Sequence, residues 1–205
     1  MKSIEDTLKI IQDIIKKFPA DIDIALIGGY AAVLHGVERT TLDIDFCVYS
    51  SVLSSAKGPT DPDFYSLLLR TLPERFEARM IKGSEIQDDP FKHDVIFIED
   101  KMGEFMRIDF LVAKYKWELD AIRTAINMEG IPLNVVTKPY LTALKLRSTG
   151  YKDSSDVVTL VSLMTGDEKE KTFELAKLIG RDKKLSKLLS PPEEDPTGDI
   201  KEELI

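Results

Sequence analysis

The segment Leu42–Val48, LDIDFCV, sets the strongest condition on any fold this chain can adopt. Apolar and polar residues alternate along it as in a β-strand. Leu42, Ile44 and Phe46 fall on one face, and Asp43, Asp45 and Cys47 on the other. The fold must bury the first face and find a use for two carboxylates on the second. Side by side, those carboxylates repel, and each favours protonation unless a cation lies between them. A hard divalent ion answers that need, because Mg²⁺ takes oxygen ligands and keeps waters and substrate phosphates in its shell. Taken alone, an Asp-x-Asp pair also fits the polar face of an edge strand in water.

The flanking sequence adds weight to the metal reading. Residues 23–27, DIALI, read as a short strand, followed by Gly28-Gly29 and a helical stretch from Tyr30 to Leu34 that Gly36 ends. Glycine at such a turn lets backbone approach a phosphate, and the amides of a helix start attract anions. The plain alternative is a tight turn that needs glycine. Arg39, Thr41, Asp43 and Asp45 then form Arg-x-Thr-x-Asp-x-Asp. Arg39 suits a phosphate or the carboxylates, or else a surface pair with Glu38 or Asp43. A third acid, Asp109, stands in Arg107–Val112, RIDFLV, an otherwise apolar strand, where it needs a partner. Arg107, read as lying on the opposite face, is discounted as that partner. With this strand beside the first, three carboxylates converge, as a two-metal site requires, its ions roughly 3.5–4 Å apart.

The rest of the chain gives the architecture. A helix is expected over 3–18, with Ser3 and Asp6 as a capping box and Ile4, Leu8, Ile11, Ile15 and Phe18 as its apolar stripe. A loop covers 50–60, and Asp61-Pro62 caps a helix running to Leu72. Strands are expected at 75–81, 93–98 and 104–112, the last two a hairpin across Glu99 to Gly103. A helix follows at 115–128 and a strand at 131–136. Helices at 139–149, 154–165 (opened by Asp153), 168–179 and 181–189 complete the pattern. This predicts an α+β fold: a mixed sheet flanked by helices over residues 1–136, a helical C-terminal part over 137–189, and a flexible acidic tail over 190–205.

Composition excludes several classes. One cysteine, Cys47, rules out an internal disulfide framework and multi-cysteine zinc. No apolar run approaches the roughly 20 residues of a membrane span, and the acidic start MKSIEDTLKI does not read as a secretory signal. A cytoplasmic protein without membrane association is expected. The net charge of −8 disfavours wrapping nucleic acid and suits recruitment of divalent cations to a bound nucleotide.

Together, ALIGGYAAVLHGVERTTLDIDF and RIDFLV resemble the nucleotidyltransferase superfamily of the polymerase-beta-like type: strand, glycine turn, short helix, Asp-x-Asp strand, and a later strand with a third acid. The segment LTALKLRSTGYKDSSDVVTL is similar to the AbiEii/MenA-type branch, which includes toxins of type IV toxin–antitoxin systems. The resemblance covers about residues 22–165. It implies transfer of a nucleoside monophosphate from a nucleoside triphosphate, ATP included, to a hydroxyl on a protein, an RNA or a small molecule, with release of pyrophosphate. It implies two Mg²⁺ ions, or Mn²⁺, on Asp43, Asp45 and Asp109, with Asp109 also suited to deprotonate the acceptor. Gly28 and Gly29 would lie against the triphosphate with Arg39 and Thr41 nearby, and Lys145 would reach the triphosphate or leaving pyrophosphate. Lys152, Asp153 and Asp156 match the branch pattern and would assist nucleotide or acceptor positioning, although Asp153 also reads as a plain helix cap. A cognate antitoxin is the partner a toxin would have. A non-catalytic nucleotide- or partner-binding module of the same fold is the competing reading.

Other residues are expected to serve structure. His35 reads as a capping or packed histidine, Cys47 as a packed thiol, Tyr115 and Trp117 as core. His93 lacks a metal-ligand neighbour in sequence, and the basic residues from Lys177 to Lys187 read as a solvated helix face rather than an RNA-facing patch.

Overall fold

Ser3 opens the first helix as the sequence predicts. Its hydroxyl accepts the Asp6 amide and the Asp6 carboxylate accepts the Ser3 amide, so α1 runs Ile4–Lys17. Its buried stripe is Leu8, Ile11 and Ile14. Ile15, expected inward, is only partly buried, because the straight helix turns Ile14 to the core instead. The computed structural model describes residues 2–54, 63–85 and 91–190. The predicted Asp61-Pro62 pair, residues 55–60 of the predicted loop and the tail from 191 lie outside the described residues. Within them, Ser51–Ser54 is a short helix rather than loop, and the helix that begins at Phe64 is capped by Asp63, whose carboxylate accepts the Ser66 amide.

In chain order follow β1 (Asp23–Leu26), α2 (Gly28–Leu34), β2 (Asp43–Tyr49), α3 (Ser51–Ser54), α4 (Phe64–Thr71), β3 (Phe76–Ile81), a 3-10 turn at Gly83–Glu85, β4 (Val95–Asp100), β5 (Arg107–Val112), α5 (Lys116–Arg123), α6 (Lys138–Arg147), α7 (Tyr151–Ser162), α8 (Gly166–Leu178) and α9 (Asp182–Leu189). The fold is α+β. Five strands form one mixed sheet in the order β1-β2-β5-β4-β3, in which β2 and β5 are parallel and the other neighbours antiparallel. The predicted β4–β5 hairpin forms. The carboxylate of Asp100 closes its turn by accepting the amides of Met102, Glu104 and Phe105 while it pairs with Arg75.

Other expectations also need correction. Leu42 is exposed and precedes β2, so the apolar face of that strand is Ile44, Phe46 and Val48. Residues 131–136 are not a strand: Val135 alone bridges Leu26 and Ile126, since β1 has only four residues to pair with and Pro132 has no amide to donate. The helix at 115–128 stops at Arg123. Helix α7 starts three residues early, at Tyr151 with Gly150 as N-cap, so Asp153 lies inside its first turn rather than capping it.

The helices are placed by their contacts. Helix α2 packs on β2 and α6, α5 on β1 and β2, and α6 on α7 and α8. One hydrophobic cluster runs from Leu8 of α1 through Ile44, Phe46, Ile108 and Phe110 of the sheet to Leu141 of α6, Leu160 of α7 and Leu185 of α9. Among the described residues, no helix is long and apolar enough to cross a membrane.

Candidate active site

Strand register brings the three aspartates together. In the parallel pair β2–β5, Asp45 stands beside Asp109 and Asp43 beside Arg107. Ile44, Phe46, Ile108 and Phe110 fill the opposite face, and the rings of Phe46 and Phe110 meet edge-on at 5.9 Å between centroids. The apolar residues fix which way the strands face, and the carboxylates are left on the other side. One oxygen from each of Asp43, Asp45 and Asp109 lies within 4.8 Å of the others.

The glycine turn closes on the same point. Gly28 has φ +67°, and a β-carbon there would stand 1.9 Å from Oδ2 of Asp45. Glycine is therefore required twice, for its backbone and for the space it leaves. The Gly29 amide donates to the same Asp45 oxygen at 3.4 Å. Thr41 fixes Asp43, donating its hydroxyl to the Asp43 carbonyl at 3.0 Å and carboxylate at 3.2 Å. Burial, and then the charges of Asp43 and Asp109, push the Asp45 carboxyl up to about 6. Burial also raises Asp109, against the hydrogen bonds of Arg107. Three converging hard oxygen donors fit a divalent ion.

Arg107 is the main correction to the sequence reading. Residues two apart on a strand share a face, so Arg107 lies on the side of Asp109, not opposite. Its Nε donates to Asp109 at 2.7 Å, and its Nη2 donates to Asp109 at 2.8 Å and to Asp43 at 2.9 Å.

Across the cleft, α6 and α7 contribute an ionic chain. Lys145, buried at 5% exposure, donates to Asp153 at 2.9 Å and pairs with Asp156 at 2.6 Å, and Arg39 pairs with the same Asp156 oxygen. Burial raises Asp153, but its bonds from Lys145 and Ser148 outweigh it and hold it below the usual carboxylate range. Gly28, Gly29, Arg39, Asp43, Asp45, Asp109, Lys145 and Asp153 line one cleft of about 400 Å³. Lys152 is not among them. It lines a second hollow with Glu38, Thr40, Tyr151 and Ser155, and the two hollows share Arg39.

Sequence reasoning missed a buried group at the cleft floor. Arg147 also lines the cleft, and its guanidinium pairs with Glu118, reaches Nδ1 of His93, and lies over the rings of Phe91 and Trp117. The His93 Nε2 donates to Glu118 at 2.7 Å. Burial pushes Glu118 up, but His93 and the amides of Lys114 and Tyr115 hold it below the usual range. No spacing in the sequence points to this trio, whose members come from three separate segments. His35 packs as expected, its ring meeting the Val136 carbonyl at 2.7 Å, and Cys47 is fully buried. Trp117 is buried as expected, but Tyr115 is exposed rather than core, its hydroxyl donating to the Phe91 carbonyl. Of the basic residues Lys177 to Lys187, Lys184 turns inward to bind the carbonyls of Leu146 and Ser148 at the end of α6.

No protein-family model matches the chain, and no curated protein does. Among solved structures, the chain is similar to the antibiotic-resistance factor ANT(2'')-Ia in solution, at 12% identity and a TM-score of 0.39, over 91% of each chain. It is also similar to terminal uridylyl transferase 4 from Trypanosoma brucei. With bound CTP the figures are 12% identity, a TM-score of 0.35 and 97% of this chain. With bound dUTP they are 13%, 0.35 and 95%. This chain spans 63% and 62% of those two uridylyl transferase chains.

Proposed function

We propose that the chain is a metal-dependent nucleotidyltransferase that moves a nucleoside monophosphate from a triphosphate to a hydroxyl acceptor. One observation carries this reading: three carboxylates from two parallel strands converge opposite a glycine turn, with a buried lysine in the same cleft. Asp43, Asp45 and Asp109 would hold Mg²⁺ or Mn²⁺, which would neutralise the phosphates and polarise the reacting oxygens. The chain's own groups supply position and charge. Gly28 and Gly29 leave room for phosphate against backbone, Lys145 offers an ammonium to the leaving pyrophosphate, and Asp109 is suited to take the acceptor proton. The acceptor oxygen then bonds to the α-phosphorus as the bond to pyrophosphate breaks. Incubation with each α-labelled triphosphate, Mg²⁺ and cell extract should label a protein, RNA or small molecule, and Asp43→Asn with Asp45→Asn should abolish the label. Saturable triphosphate binding without transfer would instead mark a binding module.

A finer reading is a growth-inhibiting toxin of the AbiEii/MenA type with a cognate antitoxin. It is supported by the Lys145, Lys152, Asp153 and Asp156 pattern, of which Lys145, Asp153 and Asp156 meet in the ionic chain while Lys152 lines the neighbouring hollow. Strong expression should then slow growth, and normal growth would count against it.

A further inference from the structure

The guanidinium of Arg107 already stands where the carboxylates need a cation. Register places Arg107 beside Asp43 and one pleat from Asp109, so one side chain reaches carboxylates on both strands. It takes both oxygens of Asp109, at 2.7 and 2.8 Å, and one oxygen of Asp43, at 2.9 Å. The ring of Phe97, on β4 beside Asp109, supports the guanidinium at 5.2 Å. An ion shared by the three aspartates would compete with the guanidinium for these carboxylate oxygens and for the space between them. We propose that Arg107 is a resident counter-ion of the site: it holds Asp43 and Asp109 together in the metal-free protein, and a divalent ion binds by displacing it. This rests on the metal reading of the aspartates above.

Three features favour such an exchange. The Arg107 side chain is 42% exposed, so it can swing outward without opening a cavity. Glu99, exposed and two residues after Phe97 on β4, lies close enough for its charge to act on Arg107, and its carboxylate can receive the displaced guanidinium. A planar fork also spans two carboxylates at once, as a lysine ammonium would not. Metal affinity is thereby set below that of three unpaired carboxylates, and the triphosphate, adding its own oxygens, strengthens retention of the ion.

The test is titration with Mn²⁺ alone, following free Mn²⁺ by electron paramagnetic resonance, for the wild type, Arg107→Met, Arg107→Gln, and each of these with Asp45→Asn. Arg107→Gln keeps a polar head in case Arg107→Met fails to fold. Loss of a partly exposed competing pair should tighten Mn²⁺ binding about fivefold in both variants, and Asp45→Asn should remove it. Unchanged or weaker binding in both, with wild-type binding still dependent on Asp45, would overturn the counter-ion role and leave the metal reading intact. Absence of any Asp45-dependent binding in all the proteins would overturn both.

Discussion

Asp45 is partly buried beside two other carboxylates, and its protonation is a measurable consequence of that placement. Its folded value of about 6 lies above the ordinary 3.8, so the folded state holds a proton that the unfolded chain releases earlier. The associated stability is fully present below 3.8 and is lost as pH rises through about 6. In chelator, thermal melts of the wild type and Asp45→Asn should therefore agree at low pH and diverge above that range, with Asp45→Asn the more stable. Added Mn²⁺ should reverse the order. A wild-type minus variant difference that does not change with pH would contradict this. Gly28→Ala tests the other half of the contact. Its β-carbon has 1.9 Å of room beside Asp45 at a φ of +67°, and about 2 kcal/mol of stability should be lost in denaturant titration. At this scale the sequence was informative where chemistry repeats at short spacing: the three aspartates, the glycines and Lys145 meet in one cleft. The Arg107–Asp109 pairing follows from the same two-residue rule that aligns Asp43 with Asp45.

Among the elements, β2 and β5 carry the site because their apolar residues leave the sheet no choice of face. Alternation and a polar residue in an apolar run were enough to find both strands. Their parallel pairing depends on how β1, β4 and the helices pack, and no short-range pattern encodes it. The 131–136 segment shows the opposite failure, since its strand-like composition met a four-residue neighbour and formed only bridges. Helix α6 holds its lysine in a buried pair with two α7 acids. Lys145→Met should leave Asp153 and Asp156 short of charge and cost about 3 kcal/mol in denaturant titration. A loss within error would mean that the pairs contribute nothing to α6–α7 packing. Glu118 ties α5 to α6 through Arg147 and accepts the amides of Lys114 and Tyr115. Glu118→Ala should cost a similar amount, about 3 kcal/mol, by the same measurement.

The whole molecule is an acidic chain in which sheet and C-terminal helices share one core, and the cleft opens where they meet. The sheet supplies the carboxylates, and α6 and α7 supply Lys145, Arg147 and Asp153. A fragment of residues 1–136 would lack α6, which packs on α2, and with it the share of the common core that Leu141, Leu160 and Leu185 fill, and it should show no cooperative thermal transition. A sharp transition would show that the sheet folds alone. Anomalous scattering from crystals grown with Mn²⁺ and a non-hydrolysable triphosphate would locate the ion itself. Mn²⁺ should be bound by Asp43, Asp45 and Asp109, with phosphate oxygens in its shell and the triphosphate against Gly28 and Gly29. Manganese bound elsewhere, or a triphosphate seated away from these residues, would contradict this assignment.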